Sequence, residues 1–175
     1  TTGSASFTLV LENTDLSGIR LRSAILHHAN FKNARFYGPG KDGRLGPFDD
    51  LISDLSGSAF SEVNLNGALL GPATIRRSNF FKANLHKARM ANAIAVGSNF
   101  SSAQLLGADL QQANLTEASF TGAELGTANL SGANLQKARM SRVNAEGALF
   151  EGANLTQSNW QGANLSGANF AGANL

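Results

Sequence analysis

Residues 103–135 read AQLLG ADLQQ ANLTE ASFTG AELGT ANLSG ANL, and the five-residue frame they set runs unbroken from residue 53 to Leu175. Its 25 central positions, Leu55 to Leu175, hold 13 Leu, 6 Phe, 2 Met, 2 Ala, 1 Ile and 1 Trp, with no polar residue. Two residues before each centre stand 18 Ala, 5 Ser and 2 Val. A period of five matches neither the 3.6 of a helix nor the 2.0 of a strand, so the backbone must turn a corner every few residues and stack as a solenoid.

The aromatic residues set the number of corners. Phe60, Phe80, Phe100 and Phe120 recur every 20 residues and are continued by Met140 and Trp160, as rings stacked in one column would be. Four five-residue sides therefore make one coil. Opposite charges one coil apart (Glu62/Lys82, Arg89/Asp109, Glu117/Lys137) agree with that count and are expected as exposed pairs. Asn114, Asn134, Asn154 and Asn174 fall in one column, as an amide ladder requires. Within each side, centre and small residue point inward. The Asn or Asp between them, present in 15 of 25 repeats, can bond the turning backbone locally. Gly107, Gly122, Gly132, Gly152, Gly162, Gly167 and Gly172 stand where a corner needs positive φ. With coils about 4.8 Å apart, the six coils of this block would be ~30 Å long.

The runs ANLSG (128–132), ANLQK (133–137), ANLSG (163–167) and ANFAG (168–172) resemble the pentapeptide-repeat proteins, whose unit is A(D/N)LXX. The resemblance covers residues 53–175 and, more loosely, 14–36, and it implies an all-β fold, a right-handed quadrilateral parallel β-helix. It points towards bacteria, cyanobacteria especially, and implies no single function. Ala95 and Ala145 at centres, and Ile94 and Arg139 in place of Asn, depart from the pattern and suggest bent or loosened coils.

The pattern breaks once inside the chain. Leu16, Leu21, Leu26, Phe31 and Phe36 form an N-terminal frame, and Phe36 to Leu55 is one step of five plus an insertion of 14. Residues 37–52, YGPGKDGRLGPFDDLI, are read as a loop leaving one corner and returning to the next side. Tyr37, Lys41, Arg44, Phe48, Asp49 and Asp50 make it a candidate partner-binding loop. Gly40-Lys41-Asp42 lacks the spacing and the Ser/Thr of a phosphate-binding loop. The organisation expected is an N-terminal cap or strand at 1–13, first coils at 14–36, the loop at 37–52 and uninterrupted coils at 53–175. No such cap follows Leu175, which leaves two readings: the native chain continues, or this end stacks on a second copy as a homodimer through the C-terminal coil.

Composition narrows the function classes. The chain has 175 residues, no Cys, three His and a formal charge of +2. Disulfide and thiol chemistry are excluded, and no apolar run is long enough to span a membrane. Residues 1–92 hold 11 basic and 7 acidic groups and residues 93–175 hold 3 and 5, too little asymmetry for direct nucleic-acid binding to be expected. No nucleophile triad, metal-ligand spacing or cofactor loop is visible, so the reading is non-enzymatic and without cofactor. A basic belt of Arg76, Arg77, Lys82, Lys87 and Arg89, extended by Arg20, Arg22, Lys32 and Arg35, is a candidate surface for an anionic partner.

The leading expectation is a scaffold that presents its faces and loop to a protein partner. The resemblance implies one alternative, gyrase inhibition or protection by DNA mimicry, which net positive charge opposes; a second alternative is the solenoid part of a larger secreted effector. Compartment stays open between bacterial cytoplasm and secretion.

Overall fold

Every backbone amide of a well-formed five-residue side has a definite acceptor, and this accounting explains the fold. The computed structural model describes residues 8–38 and 51–175. In the side Ala83–Lys87, the Asn84 amide donates to Val63 O (2.8 Å) in the preceding coil. The Leu85 and Lys87 amides donate to Gln104 O (2.8 Å) and Leu106 O (3.0 Å) in the following coil. Ala88 N–H closes the turn on Leu85 O at 3.0 Å. Only His86 N–H is left over, and the Asn84 side-chain oxygen accepts it at 3.1 Å. Asn and Asp dominate this slot because a short side chain carrying an oxygen satisfies the one amide that ladder and turn omit. Asn99, Asn129 and Asn164 make the same bond at 3.0–3.1 Å.

Parallel bridges join each Asn-slot residue to its counterpart one coil on, from Val10↔Asn30 to Asn154↔Asn174. Partners are 20 residues apart everywhere except across the insertion, where Arg20↔Asp54, Ile25↔Ala59, Asn30↔Asn64 and Arg35↔Leu69 are 34 apart. The difference is the inserted 14, so the excursion adds chain without shifting the ladder. Its base is a short antiparallel pair, β1 (Tyr37–Gly38) with β2 (Leu51–Ile52), in the register Tyr37↔Ile52 and Gly38↔Leu51. Among the described residues no helix forms. Among the described residues the ladder begins at Val10, inside the segment 1–13 expected to be a cap or strand; Leu11 N–H donates to Asn30 O at 2.8 Å.

The interior is filled by centres and small residues, which are 0–2% exposed from Ala29 to Leu155. The expected aromatic column is present: Phe60–Phe80, Phe80–Phe100 and Phe100–Phe120 have ring centroids 5.0 Å apart and planes within 4–12°. Phe150 and Phe170 form a second stack at 4.9 Å, with Trp160 edge-on to both. Four of the five serines in the small slot bury their hydroxyls against carbonyls of the preceding coil, as Ser53 does on Leu16 O (3.0 Å) and Ser78 on Leu55 O (2.8 Å), whereas Ser158 bonds Leu155 O in its own coil. Among the described residues no buried side-chain N or O lacks a partner.

Two expectations fail. The coils at Ala95 and Ala145 are not loosened: both centres are fully buried, and their amides bond Asn114 O and Asn164 O at 2.8 Å. Ile94 and Arg139 keep their bridges as well, because the ladder uses backbone groups; what they do not supply is the slot oxygen, and the Val96 and Ser141 amides have no acceptor among the described residues. The three charge pairs expected from register do not close either. Among the described residues the ion pairs are Arg22–Asp54 (3.4 Å) and Arg35–Asp15 (3.6 Å), and Glu62 lies instead against His28 Nδ1 (3.6 Å). Arg89 and Asp109 are true bridge partners, but long exposed side chains gain too little from pairing to be held together.

Among the described residues every corner except the insertion's and Gly71–Pro72, whose peptide is cis, carries a positive φ at its second turn residue, and nearly all of these are closed three residues on, the signature of a type II turn. The glycines expected there have φ of 63–71°. Among the described residues sixteen non-glycine residues, Arg77 (53°), Lys82 (55°), Lys87 (55°) and Thr127 (53°) included, adopt the same left-handed conformation. The lattice imposes it on charged, amide and β-branched residues alike.

Candidate interaction surface

With two of every five side chains committed to the interior, all remaining chemistry lies on the turn and Asn-slot positions. Corners stack into columns. The one that matters most runs Arg22-Ser23, Ser56-Gly57, Arg76-Arg77, Val96-Gly97, Thr116-Glu117, Gln136-Lys137, its register set by Ser23 N–H on Ser56 O and Gly57 N–H on Arg76 O (2.9 and 2.8 Å). Gly57 puts no side chain on this corner, and a groove of about 350 Å³ opens there, lined by Arg22, Ser23, Ser56, Gly57, Arg76, Arg77 and Val96. A second groove of about 420 Å³ opens at Gly97, between Arg77, Glu117, Lys137 and Arg139. A third, about 380 Å³, lies on another corner among Asn66, Asn84, His86, Gln104, Leu106 and Glu124.

Of the basic residues singled out by sequence, the structure brings Arg76 and Arg77 together in the first groove and joins Arg22 to them. Lys82 and Lys87 stand exposed on the next two corners, and Arg89 on the face beyond. Lys82 lies with its Nζ 5.3 Å from the Phe81 ring centroid. Sequence reasoning misses the convergence of Arg22 with Arg76, although a signal for it exists. Adding one coil plus the 14-residue insertion to Arg22 lands on Ser56, and one further coil lands on Arg76.

Arg22 is braced by Asp54, whose Oδ1 also accepts the Ser56 amide at 3.1 Å. The Ser56 side chain and then its amide, with Arg22 and Arg20 adding, hold the Asp54 carboxyl below its ordinary value against some opposing desolvation. Asp15 is lowered in the same way, first by the Ser17 hydroxyl (2.5 Å), then by the Ser17 amide (3.0 Å) and Arg35. Among the described residues neither Arg76 nor Arg77 pairs with a carboxylate.

Of the candidate loop residues, Tyr37 is half-buried at the base of the excursion. Lys41, Arg44, Phe48, Asp49 and Asp50 lie outside the described residues. Among the described residues no group of three His, Cys, Asp or Glu could hold a metal ion, and no helix is long and apolar enough to cross a membrane. At the last coil, Leu175 is 82% exposed and Trp160 and Phe170 are half-buried.

Comparison with known proteins agrees with this geometry. No curated protein matches the chain in sequence. Among solved structures, a trypsin-treated variant of QnrB1, described as a plasmid-mediated fluoroquinolone resistance protein, superposes with a TM-score of 0.58 at 22% identity, covering 96% of this chain and 90% of that one. Full-length QnrB1 gives 0.51 at 17% identity, covering 95% and 91%. HetL, a pentapeptide repeat protein involved in heterocyst differentiation regulation in the cyanobacterium Nostoc, gives 0.33 at 26% identity, covering 95% and 87%. At these identities QnrB1 is a likeness in fold. The family model described as Pentapeptide repeats matches in eight copies, over residues 10–38, 53–94, 78–116, 113–152 and 148–175. Its matches stop at Gly38 and resume at Ser53, the two edges of the insertion, and the chain belongs to the pentapeptide-repeat family.

Proposed function

We propose that this chain is a non-catalytic interaction module: a right-handed, four-sided β-helix that presents its outer surface and the 37–52 insertion to a protein partner. The observation that carries the reading is the packed axis, in which centres and small residues are 0–2% exposed from Ala29 to Leu155. A filled interior has no room for a substrate, so recognition falls to side chains the lattice leaves unconstrained. The insertion fits that role because the ladder passes it without losing register. Tyr37, Lys41, Arg44, Phe48, Asp49 and Asp50 are its proposed contact residues.

The test is a deletion designed from the register. Removing residues 39–52 joins Gly38 to Ser53 and gives RFYGSDLSG, which restores the five-residue frame with glycine at the positive-φ corner. The variant should fold with an unchanged β spectrum. Used in parallel as bait, the intact chain should retain a partner that the deleted chain loses; identical retention by both would remove the loop from the reading.

The likeness in fold to QnrB1 favours a second reading, protection of gyrase by DNA mimicry. The formal charge of +2 weighs against it, since a mimic of duplex DNA needs a negative surface along its length. A supercoiling assay with gyrase, with and without a fluoroquinolone, decides: neither inhibition nor protection by the intact chain discards this reading.

A further inference from the structure

We propose that the corner groove lined by Arg22, Arg76 and Arg77 binds a phosphomonoester dianion. Three guanidinium side chains from coils that are distant in sequence line one recess of about 350 Å³, and no carboxylate is part of its wall. The carboxylate that reaches Arg22, that of Asp54, is engaged by the Arg22 Nε at 3.4 Å and by the Ser56 amide at 3.1 Å. It braces one guanidinium and leaves Arg76 and Arg77 as two positive charges without a partner among the described residues.

Two unmatched guanidinium groups suit a dianion better than a monoanion. Their planar forks bond oxyanions in pairs, and a phosphomonoester carries close to two negative charges at neutral pH. The amides of Ser23, Ser56, Gly57 and Arg77 are taken by Ser56 O, Asp54 Oδ1, Arg76 O and Val96 O, whereas those of Arg22, Arg76 and Val96, which also line the groove, have no acceptor among the described residues. Recognition therefore rests on the arginines and the Ser23 hydroxyl, with these open amides as further donors. Gly57 has positive φ (70°), and its missing side chain keeps the floor open. Val96 supplies an apolar wall, and the groove is several times larger than a phosphate group, so the seat fits an esterified phosphate with a body attached. The inference shares with the proposed function the premise that the outer surface acts, but it concerns a site separate from the insertion.

Calorimetric titration at low ionic strength tests it, with inorganic phosphate, O-phosphoserine, acetate and a single-stranded oligonucleotide as probes. Saturable binding of phosphate and tighter binding of O-phosphoserine, with acetate much weaker, are expected; saturation by phosphate alone would overturn the ester and assign the seat to the free anion. Arg76→Gln and Arg77→Gln should each weaken binding about tenfold, the loss of one charge-assisted contact. Lys87→Gln removes the same charge from another corner and should leave binding unchanged. Phosphate should also raise the melting temperature of the intact chain and not of the Arg76→Gln/Arg77→Gln double variant, a readout that needs no comparison of basal stability. Equal weakening by Lys87→Gln, equal affinity for acetate, or preference for the oligonucleotide would overturn the proposal. The 39–52 deletion should bind phosphate like the intact chain, which separates failure here from failure of the loop reading.

Discussion

Replacing Phe100 by Leu should destabilise the protein more than the same change at Phe120, and the difference measures one stacked ring pair. Phe100 is fully buried and lies 5.0 Å from both Phe80 and Phe120, with planes 5° and 12° from parallel. Phe120 has one such neighbour, because its column continues with Met140. Leucine is the commonest centre, so the lattice accepts its shape, and the packing penalty common to both sites is about 1 kcal/mol. Each aromatic pair adds ~0.5–1.5 kcal/mol beyond buried area. Phe100→Leu should therefore cost roughly 2–4 kcal/mol and Phe120→Leu roughly 1.5–2.5 kcal/mol. Because stability in a stacked repeat sums over neighbouring units, two sites one coil apart are the fair comparison. Urea unfolding followed by circular dichroism gives both values from the shift in midpoint at constant slope. If Phe120→Leu proves as costly as Phe100→Leu, stacking contributes nothing here beyond burial.

Three further outcomes follow from the same geometry. Thr127 is a β-branched residue held at φ 53°, so Thr127→Gly should stabilise by about 1 kcal/mol, read as a higher melting temperature. Gly71→Ala should destabilise by about 2 kcal/mol or more, since the added Cβ would lie 2.0 Å from the Ala91 carbonyl oxygen in the next coil; an unchanged urea midpoint would refute that close approach. Acid should weaken the N-terminal coils. Asp15 and Asp54 have folded pKa values below the ordinary 3.8, so their contribution is fully present above that value and is lost as pH falls through the folded ones. Asp54→Asn should flatten that part of the stability profile, and an identical acid limb in the variant would refute the assignment.

The five-residue frame, the 20-residue coil and the position and length of the insertion are all legible in the amino acids alone. Each is a statement about translation along one axis: Phe80 lies over Phe60 because backbone bonds carry every residue onto its counterpart one coil on. The role of the Asn slot and the need for positive φ at the corners are legible for the same reason. They are properties of a single side repeated. The strain of the corners is less so, since a glycine count does not reveal that Arg77, Lys82 and Thr127 are forced into the same conformation.

What the tertiary structure alone decided concerns the outer ends of long side chains. Register places Glu62 with Lys82, but Glu62 turns to His28 in the coil before it. A five-residue step already puts Arg77, Lys82 and Lys87 on successive sides; what the fold adds is Arg22, brought to Arg76 and Arg77 from two coils away. Backbone hydrogen bonds and ring stacking repeat with the lattice and leave a period in the amino acids. A guanidinium at the tip of a flexible stem obeys no period: where it rests depends on which neighbours, from coils far off in sequence, the completed stack has brought within its reach.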